Sequence, residues 1–163
     1  MKRILMLFVA ALFISAASAQ EKGQMAAGVN LNFGFGYAGS YSNIGIGAKY
    51  QYSFTDHLRI EPAFTYFFKK DFLSTWDFMA NVHYVFPIAQ KKMTVYPLLG
   101  VGVFGAKVKV LGVSASDTNF GLNIGGGYEY CLKENIALGA ELKYQVVSGY
   151  GHLGIQIGAK YVF

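Results

Sequence analysis

The sequence predicts an all-β fold, an eight-stranded antiparallel up-and-down transmembrane β-barrel, and three observations carry that prediction. Side chains alternate between apolar and polar with a period of two in one segment after another. The less apolar face is crowded with glycine, a poor surface for solvent but a good lining for a narrow interior. The apolar face collects its aromatic residues near segment ends and bears almost no charge in between, as a hydrocarbon layer with two interfacial belts demands.

The N-terminus stands apart from this pattern. In "MKRILMLFVAALFISAASA" two basic residues, Lys2 and Arg3, precede an apolar run from Ile4 to Ile14 and the small residues Ala17, Ser18 and Ala19. That order is a secretory signal peptide with cleavage after Ala19, and its apolar run is too short to span a bilayer. No cysteine lies near the cleavage site, so a lipid-modified N-terminus is not expected. Residues 20–163 form one domain of 144 residues (163 less 19).

Composition narrows the classes further. The formal net charge of +5 falls to +3 without Lys2 and Arg3, too little and too dispersed for nucleic acid. Cys131 is the sole cysteine, so no internal disulfide can form. The chain has 20 Gly, 12 Tyr and 14 Phe but only 14% charged residues, and no later stretch is long and apolar enough for a spanning helix. Such a chain has either a large buried core or a lipid-facing barrel.

The alternation places strands at about 25–38, 43–54, 57–68, 75–86, 92–109, 118–131, 135–147 and 151–163. In "NIGIGAKYQYSF" (43–54), Ile44, Ile46, Ala48, Tyr50, Tyr52 and Phe54 share one face, opposite Asn43, Gly45, Gly47, Lys49, Gln51 and Ser53. Residues 135–146 and 152–163 repeat the pattern. The connections are short, so sequence neighbours pair as hairpins. One pentad, "IGAKY", occurs at 46–50 and again at 157–161. Pro62 and Pro97 each remove a ladder hydrogen bond and are expected to mark bulges or bends in the wall. The phase of 92–109 is the least defined. With its glycines inward, Val95, Leu99, Val101 and Val103 face lipid.

A soluble sandwich could show the same alternation with its faces reversed, but glycine distribution and aromatic placement favour the lipid-facing arrangement. In lipid each backbone polar group needs a partner within the protein, which a sheet achieves by closing. The end of the chain, "QIGAKYVF", presents Gln156, Gly158, Tyr161 and Phe163 as polar-x-Gly-x-x-aromatic-x-aromatic. This resembles the C-terminal signal of bacterial outer-membrane barrels, which the barrel-assembly machinery reads. The mature chain resembles the small eight-stranded outer-membrane β-barrel family that includes OmpX and the barrel domain of OmpA. The resemblance implies a Gram-negative outer-membrane location. The segment after the signal peptide is only barrel-sized, so the peptidoglycan-binding role of full-length OmpA does not carry over. The short outer loops likewise weaken an adhesive role.

The expected function follows from the interior. With both termini periplasmic, the lumen face collects Lys49, Arg59, Glu61, Asp77, His83, Glu129, Glu141, Lys143 and Lys160, four basic against four acidic residues plus one histidine. An eight-stranded barrel is about wide enough for its side chains to fill it, and buried charges there need partners. The expectation is therefore a plugged lumen with a structural, envelope-interface role. The alternative is a porin-like channel for small solutes or apolar compounds. Lys69, Lys70, Lys107 and Lys109, at the outer ends of their strands, could meet lipopolysaccharide phosphates.

Chemistry is not expected. "GVGVFG" (100–105) matches G-x-G-x-x-G but continues into another strand-like run rather than a helix. His57, His83 and His152 lie in separate segments without metal spacing, no serine adjoins them, and no G-x-S-x-G elbow occurs. No enzyme activity, including lipid A modification, no cofactor and no metal are expected. The expected partners are outer-membrane lipid, lipopolysaccharide and the barrel-assembly machinery, around a monomer. N-terminal sequencing of the protein from bacterial envelopes should read from Gln20; a retained Met1 or Lys2 would contradict the signal peptide.

Overall fold

The structure is a computed structural model and describes residues 22–37, 41–70, 73–89, 92–110, 113–147 and 150–163. The predicted signal peptide, residues 1–19, lies outside them. The strands are β1 (Met25–Tyr37), β2 (Tyr41–Ser53), β3 (Leu58–Lys70), β4 (Leu73–Tyr84), β5 (Phe86–Ile88), β6 (Met93–Val110), β7 (Val113–Lys133), β8 (Ile136–Val147) and β9 (Tyr150–Val162). All pairings are antiparallel. The ring closes where β1 meets β9, from Ala26↔Val162 to Phe35↔Leu153. Both β4 and β5 pair with β6 in one unbroken register, so they are two parts of one stave and the barrel has eight.

The prolines explain that division. Pro97 has no amide hydrogen, and the β4–β6 ladder stops at His83↔Leu98 to resume at Phe86↔Val95. On the other side of the stave the β3–β4 register continues through the break, with the Val85 amide donating to the carbonyl of His57 (2.7 Å). Pro62 similarly opens the β2–β3 ladder between Lys49↔Ala63 and Tyr52↔Ile60. The expected bulges are absent at both prolines, because a missing donor removes hydrogen bonds without inserting a residue. The register shifts that do occur lie near strand ends, between Phe35 and Tyr37, Phe67 and Lys70, and Cys131 and Lys133.

Strand limits differ from the expected ones chiefly at β7, which starts at Val113 rather than 118 and pairs with β6 out to Val110↔Val113. The segment 113–117, "VSASD", lacks strong alternation because beyond the bilayer neither face of a hairpin must be apolar. In β6, Thr94, Tyr96, Leu98, Gly100 and Phe104 are buried while Pro97, Leu99 and Val101 are exposed, which fixes the phase with Gly100 and Gly102 inward and Gly105 outward against the Trp76 ring. Gly100 shows why. A β-carbon there would collide with the side-chain oxygens of Asn81 and Asn123.

The two faces are inverted relative to a soluble barrel. Leu142, Ile155 and Ile157 are 52%, 37% and 53% exposed, whereas Lys49 and Glu141 are 8% and 3% exposed. The repeated pentad sits at one height on either side of β1: Leu31 opposes both Ile46 and Ile157, Val29 both Ala48 and Ala159, and Gly28 both Lys49 and Lys160. Both lysines thus enter the lumen beside a glycine that leaves them room.

Ile157 lies near the middle of β9 on the outer face. Ile157→Arg should destabilise the barrel by about 2–4 kcal/mol, the depth-dependent penalty for arginine at the midplane. Urea titration in lipid vesicles measures this, and an unchanged midpoint would contradict the lipid-facing assignment.

Candidate functional site: the charged lumen

Because β-strand side chains alternate, each of the eight staves delivers every second residue to the interior. Lys49 comes from β2, Arg59 and Glu61 from β3, Asp77 and His83 from β4, Glu129 from β7, Glu141 and Lys143 from β8, and Lys160 from β9. The structure places all nine inside the barrel, Lys160 only partly buried.

Eight of the nine join one connected network. At the end carrying both termini, the Arg59 guanidinium grips Glu129 with two bonds, Nη1 to Oε2 at 3.0 Å and Nη2 to Oε1 at 3.1 Å. This is the paired-fork geometry that makes arginine the strong partner of a carboxylate. Lys160 adds a 2.7 Å contact to Glu129 and donates to Gln51 at 2.8 Å. Gln51 passes the chain to Glu61 at 2.6 Å, and Lys49 bridges Glu61 (3.2 Å) to Glu141 (2.7 Å). Lys143 completes the run, 3.2 Å from Glu141 and donating to Gln156 at 2.7 Å.

Tyr96 and His83 bind the layers together. Tyr96 donates to Glu141 at 2.9 Å, stacks on His83 at 4.5 Å between centroids, and takes Arg59 over its ring at 4.7 Å. Arginine can only donate, so its contacts to His83 Nδ1 (3.2 and 3.0 Å) make that nitrogen an acceptor. The imidazole proton therefore sits on Nε2, facing Glu61 Oε1 at 3.7 Å. Asn81 donates to Glu61 and accepts from Asn123, extending the network across the lumen.

Asp77 stands apart, bonded to Thr65 and lining with Lys143 a cavity of about 10 Å³, room for a single water. Beyond it Phe67, Met79 and Phe104 are buried, so the lumen narrows onto apolar side chains as well.

Sequence reasoning missed the aromatic centre. Tyr96 lay in the strand of undefined phase, yet a signal exists: it opposes Gly127, where a β-carbon would strike its ring. An aromatic residue facing a cross-strand glycine is a recognisable pairing. Asn81, Asn123 and Gln51 lie at inward positions, but neutral amides gave no reason to single them out.

The remaining residues are dispersed. His57 lies in the turn before β3 with its ring 5.9 Å from Tyr84, and His152 is buried against Gln145 (2.8 Å) and edge-on to Phe104. Among the described residues no group of three potential metal ligands is assembled. Gly100, Gly102 and Gly105 of the dinucleotide-like motif sit in mid-strand β6, where no helix follows. Lys107 is exposed, and Lys69, Lys70 and Lys109 occupy strand ends with their side chains outside the described set. Of the C-terminal motif, Gln156 is buried and Gly158 partly so, while Tyr161 and Phe163 are exposed and meet edge to face at 5.5 Å. The Phe163 amide donates to the Met25 carbonyl (2.9 Å).

A closed antiparallel barrel with hydrocarbon outside and paired charges inside defines an integral outer-membrane β-barrel protein. The chain belongs to the outer membrane protein beta-barrel domain family, which it matches over residues 4–163, and it resides in the bacterial outer membrane. No curated protein matches it. Three solved barrels are similar. Neisserial surface protein A shares 18% identity with a TM-score of 0.70, covering 85% of this chain and 95% of that one. Ail, the attachment invasion locus protein of Yersinia pestis, shares 23% with a TM-score of 0.59, covering 87% and 99%. The N-terminal β-barrel domain of Pseudomonas aeruginosa OprF shares 16% with a TM-score of 0.61, covering 88% and 100%. At these identities the likeness shows the fold.

The network yields a stability test. Glu141→Ala leaves Lys49 and Lys143 buried without their shared carboxylate, which should cost about 3–5 kcal/mol in urea unfolding. Replacing Lys143 and Glu141 together by methionine, which leaves Lys49 its contact to Glu61 (3.2 Å), should recover much of that loss. Equal stability of wild type and Glu141→Ala would show that the pairs hold nothing together.

Proposed function

We propose that this protein is a plugged, non-conducting barrel that serves the outer membrane as a structural and interfacial element. The supporting observation is the unbroken chain of contacts from Arg59–Glu129 through Lys49–Glu141 to Lys143–Gln156, with Tyr96 and His83 filling the space between. Four cations and four anions occupy a lumen about as wide as its own side chains, and a solute would have to break several charge-assisted bonds to pass. On this reading the chain is exported by its signal peptide, is inserted by the barrel-assembly machinery through Gln156, Gly158, Tyr161 and Phe163, and stands as a monomer with both termini periplasmic. The exposed strand-end Lys107, with Lys69, Lys70 and Lys109, then meets lipopolysaccharide phosphates outside.

Planar-bilayer recording of the purified barrel should show no steady open steps. Steady steps would replace the plug with a small-solute channel. Orientation has its own test through Cys131, which is exposed near the end of the barrel that carries the termini. A membrane-impermeant maleimide should label Cys131 only after the outer membrane of intact cells is permeabilised. Labelling before that step would invert the barrel.

A further inference from the structure

Asp77 is the lumen charge that the ion-pair network does not reach. It is only 4% exposed, and among the described residues it forms no ion pair. Its hydrogen bonds go to Thr65, its register partner on β3, which is neutral. A buried carboxylate needs a compensating charge as well as a donor. Lys143 lines the same cavity of about 10 Å³ but directs its contacts to Glu141 and Gln156.

A second group on that wall is also incomplete. Asn32 lines the cavity, is 7% exposed, and has no partner for its Nδ2. Its register partner on β9, Gln156, likewise keeps a buried Nε2 without one. A buried donor left unmade costs its full desolvation. The cavity has the volume of one water, and a water needs two to four polar partners. Asn32 and Lys143 as donors with Asp77 as acceptor make such a set. Glycine supplies the room: Gly34 opposes Gly154, both line the cavity, and a β-carbon on Gly154 would meet nothing nearer than Gln145 Oε1 at 3.5 Å.

We infer that this cavity is a binding site for one structural water, which accepts from the Asn32 amide and the Lys143 ammonium and donates to the Asp77 carboxylate. The water carries the network to its ninth charged or titratable member. It also brings in β1, whose buried inward residues Ala26, Asn30, Asn32 and Gly34 carry no charge and whose only other ties to its neighbours described above are backbone ones. A bridging water holds two polar groups nearly as well as a direct hydrogen bond. The inference rests on the plugged-lumen reading, since an open column would hold many exchanging waters rather than one.

Water-selective NOE spectra of the folded mature barrel in lipid nanodiscs test the site. The wild type should show a contact between water and the Asn32 side-chain amide protons, with the sign that a long-lived water gives. Gly154→Ala puts a methyl group into the cavity and should abolish that contact. Exchange relayed through Lys143 or Thr65 persists in this variant, so the loss reports the water itself. The same variant should lower the urea midpoint of unfolding in vesicles, and Gly154→Ser, whose hydroxyl stands in for the water, should bring the midpoint back toward the wild type. A dry void behaves oppositely, because filling it and replacing a strand glycine both stabilise. No contact in the wild type, a contact that survives Gly154→Ala, or a midpoint of Gly154→Ala above the wild type would each overturn the inference. Should Gly154→Ala not fold, loss of the contact in Gly154→Ser takes its place. Conductance steps with water contacts at the Asn81 and Asn123 amides as well would overturn plug and site together, whereas a silent Asn32 in a non-conducting barrel would strike the site alone.

Discussion

The governing constraint is that hydrocarbon offers no hydrogen bonds. Each amide and carbonyl in the membrane must be matched within the protein, so the first and last strands have to find one another. β1 and β9 do so over ten residue pairs, from Ala26↔Val162 to Phe35↔Leu153, and that seam turns a meander into a barrel. The prolines interrupt the ladder without undoing it. Where Pro97 breaks the β4–β6 pairing, the β3–β4 register runs on through Val85 and His57, and pairing with β6 resumes unshifted at Phe86↔Val95. Once the ring has closed, the period of two turns half of the side chains inward, where Glu61, His83 and Gln51 are buried among their neighbours.

The chemistry of the lumen follows from that closure. A charge carried inward cannot be solvated as at a surface, so it must be neutralised by a neighbour across the barrel. The structure meets this with shared ligands rather than isolated pairs: Glu129 serves Arg59 and Lys160, Glu141 serves Lys49 and Lys143, and Lys49 touches both Glu61 and Glu141. Tyr96 supplies the flat surface on which Arg59 and His83 rest, and Gly127 gives it the room. Together these groups cross-link β2, β3, β4, β6, β7, β8 and β9 through the interior, in addition to the backbone ladder that joins them around the circumference.

How much of this was legible depends on whether a residue's own character announced its face. Ile44, Ile46, Leu142, Ile155 and Ile157 alternate with polar or glycine neighbours, so their strands and their outward facing could be read directly. The charged lumen residues were equally plain, because Lys49, Arg59, Glu61 and Glu141 fall at positions that cannot face lipid. Beyond the bilayer the signal faded. The 113–117 segment carries small polar residues on both faces, and a paired hairpin there looks like a loop. In 93–110, glycine, valine and proline mask the alternation, and Tyr96 could have been either an interfacial aromatic or a lumen residue. The partners of each charge were not legible at all, because register across the barrel is a property of closure rather than of any one strand. The echo of "IGAKY" was visible, but its symmetric placement around β1 emerged only with the registers of both seams.

That symmetry bears on biogenesis. Until the seam closes, β1 presents a free edge whose complement is the second pentad in β9, and the β2 pentad of another molecule carries the same five side chains in an order that matches it. An unshielded nascent chain would thus meet, in any neighbouring copy, a decoy that matches half of the ten pairs of its own seam, the usual route by which open sheet edges cross-pair. A sequence built this way has reason to remain chaperoned until its own terminus arrives.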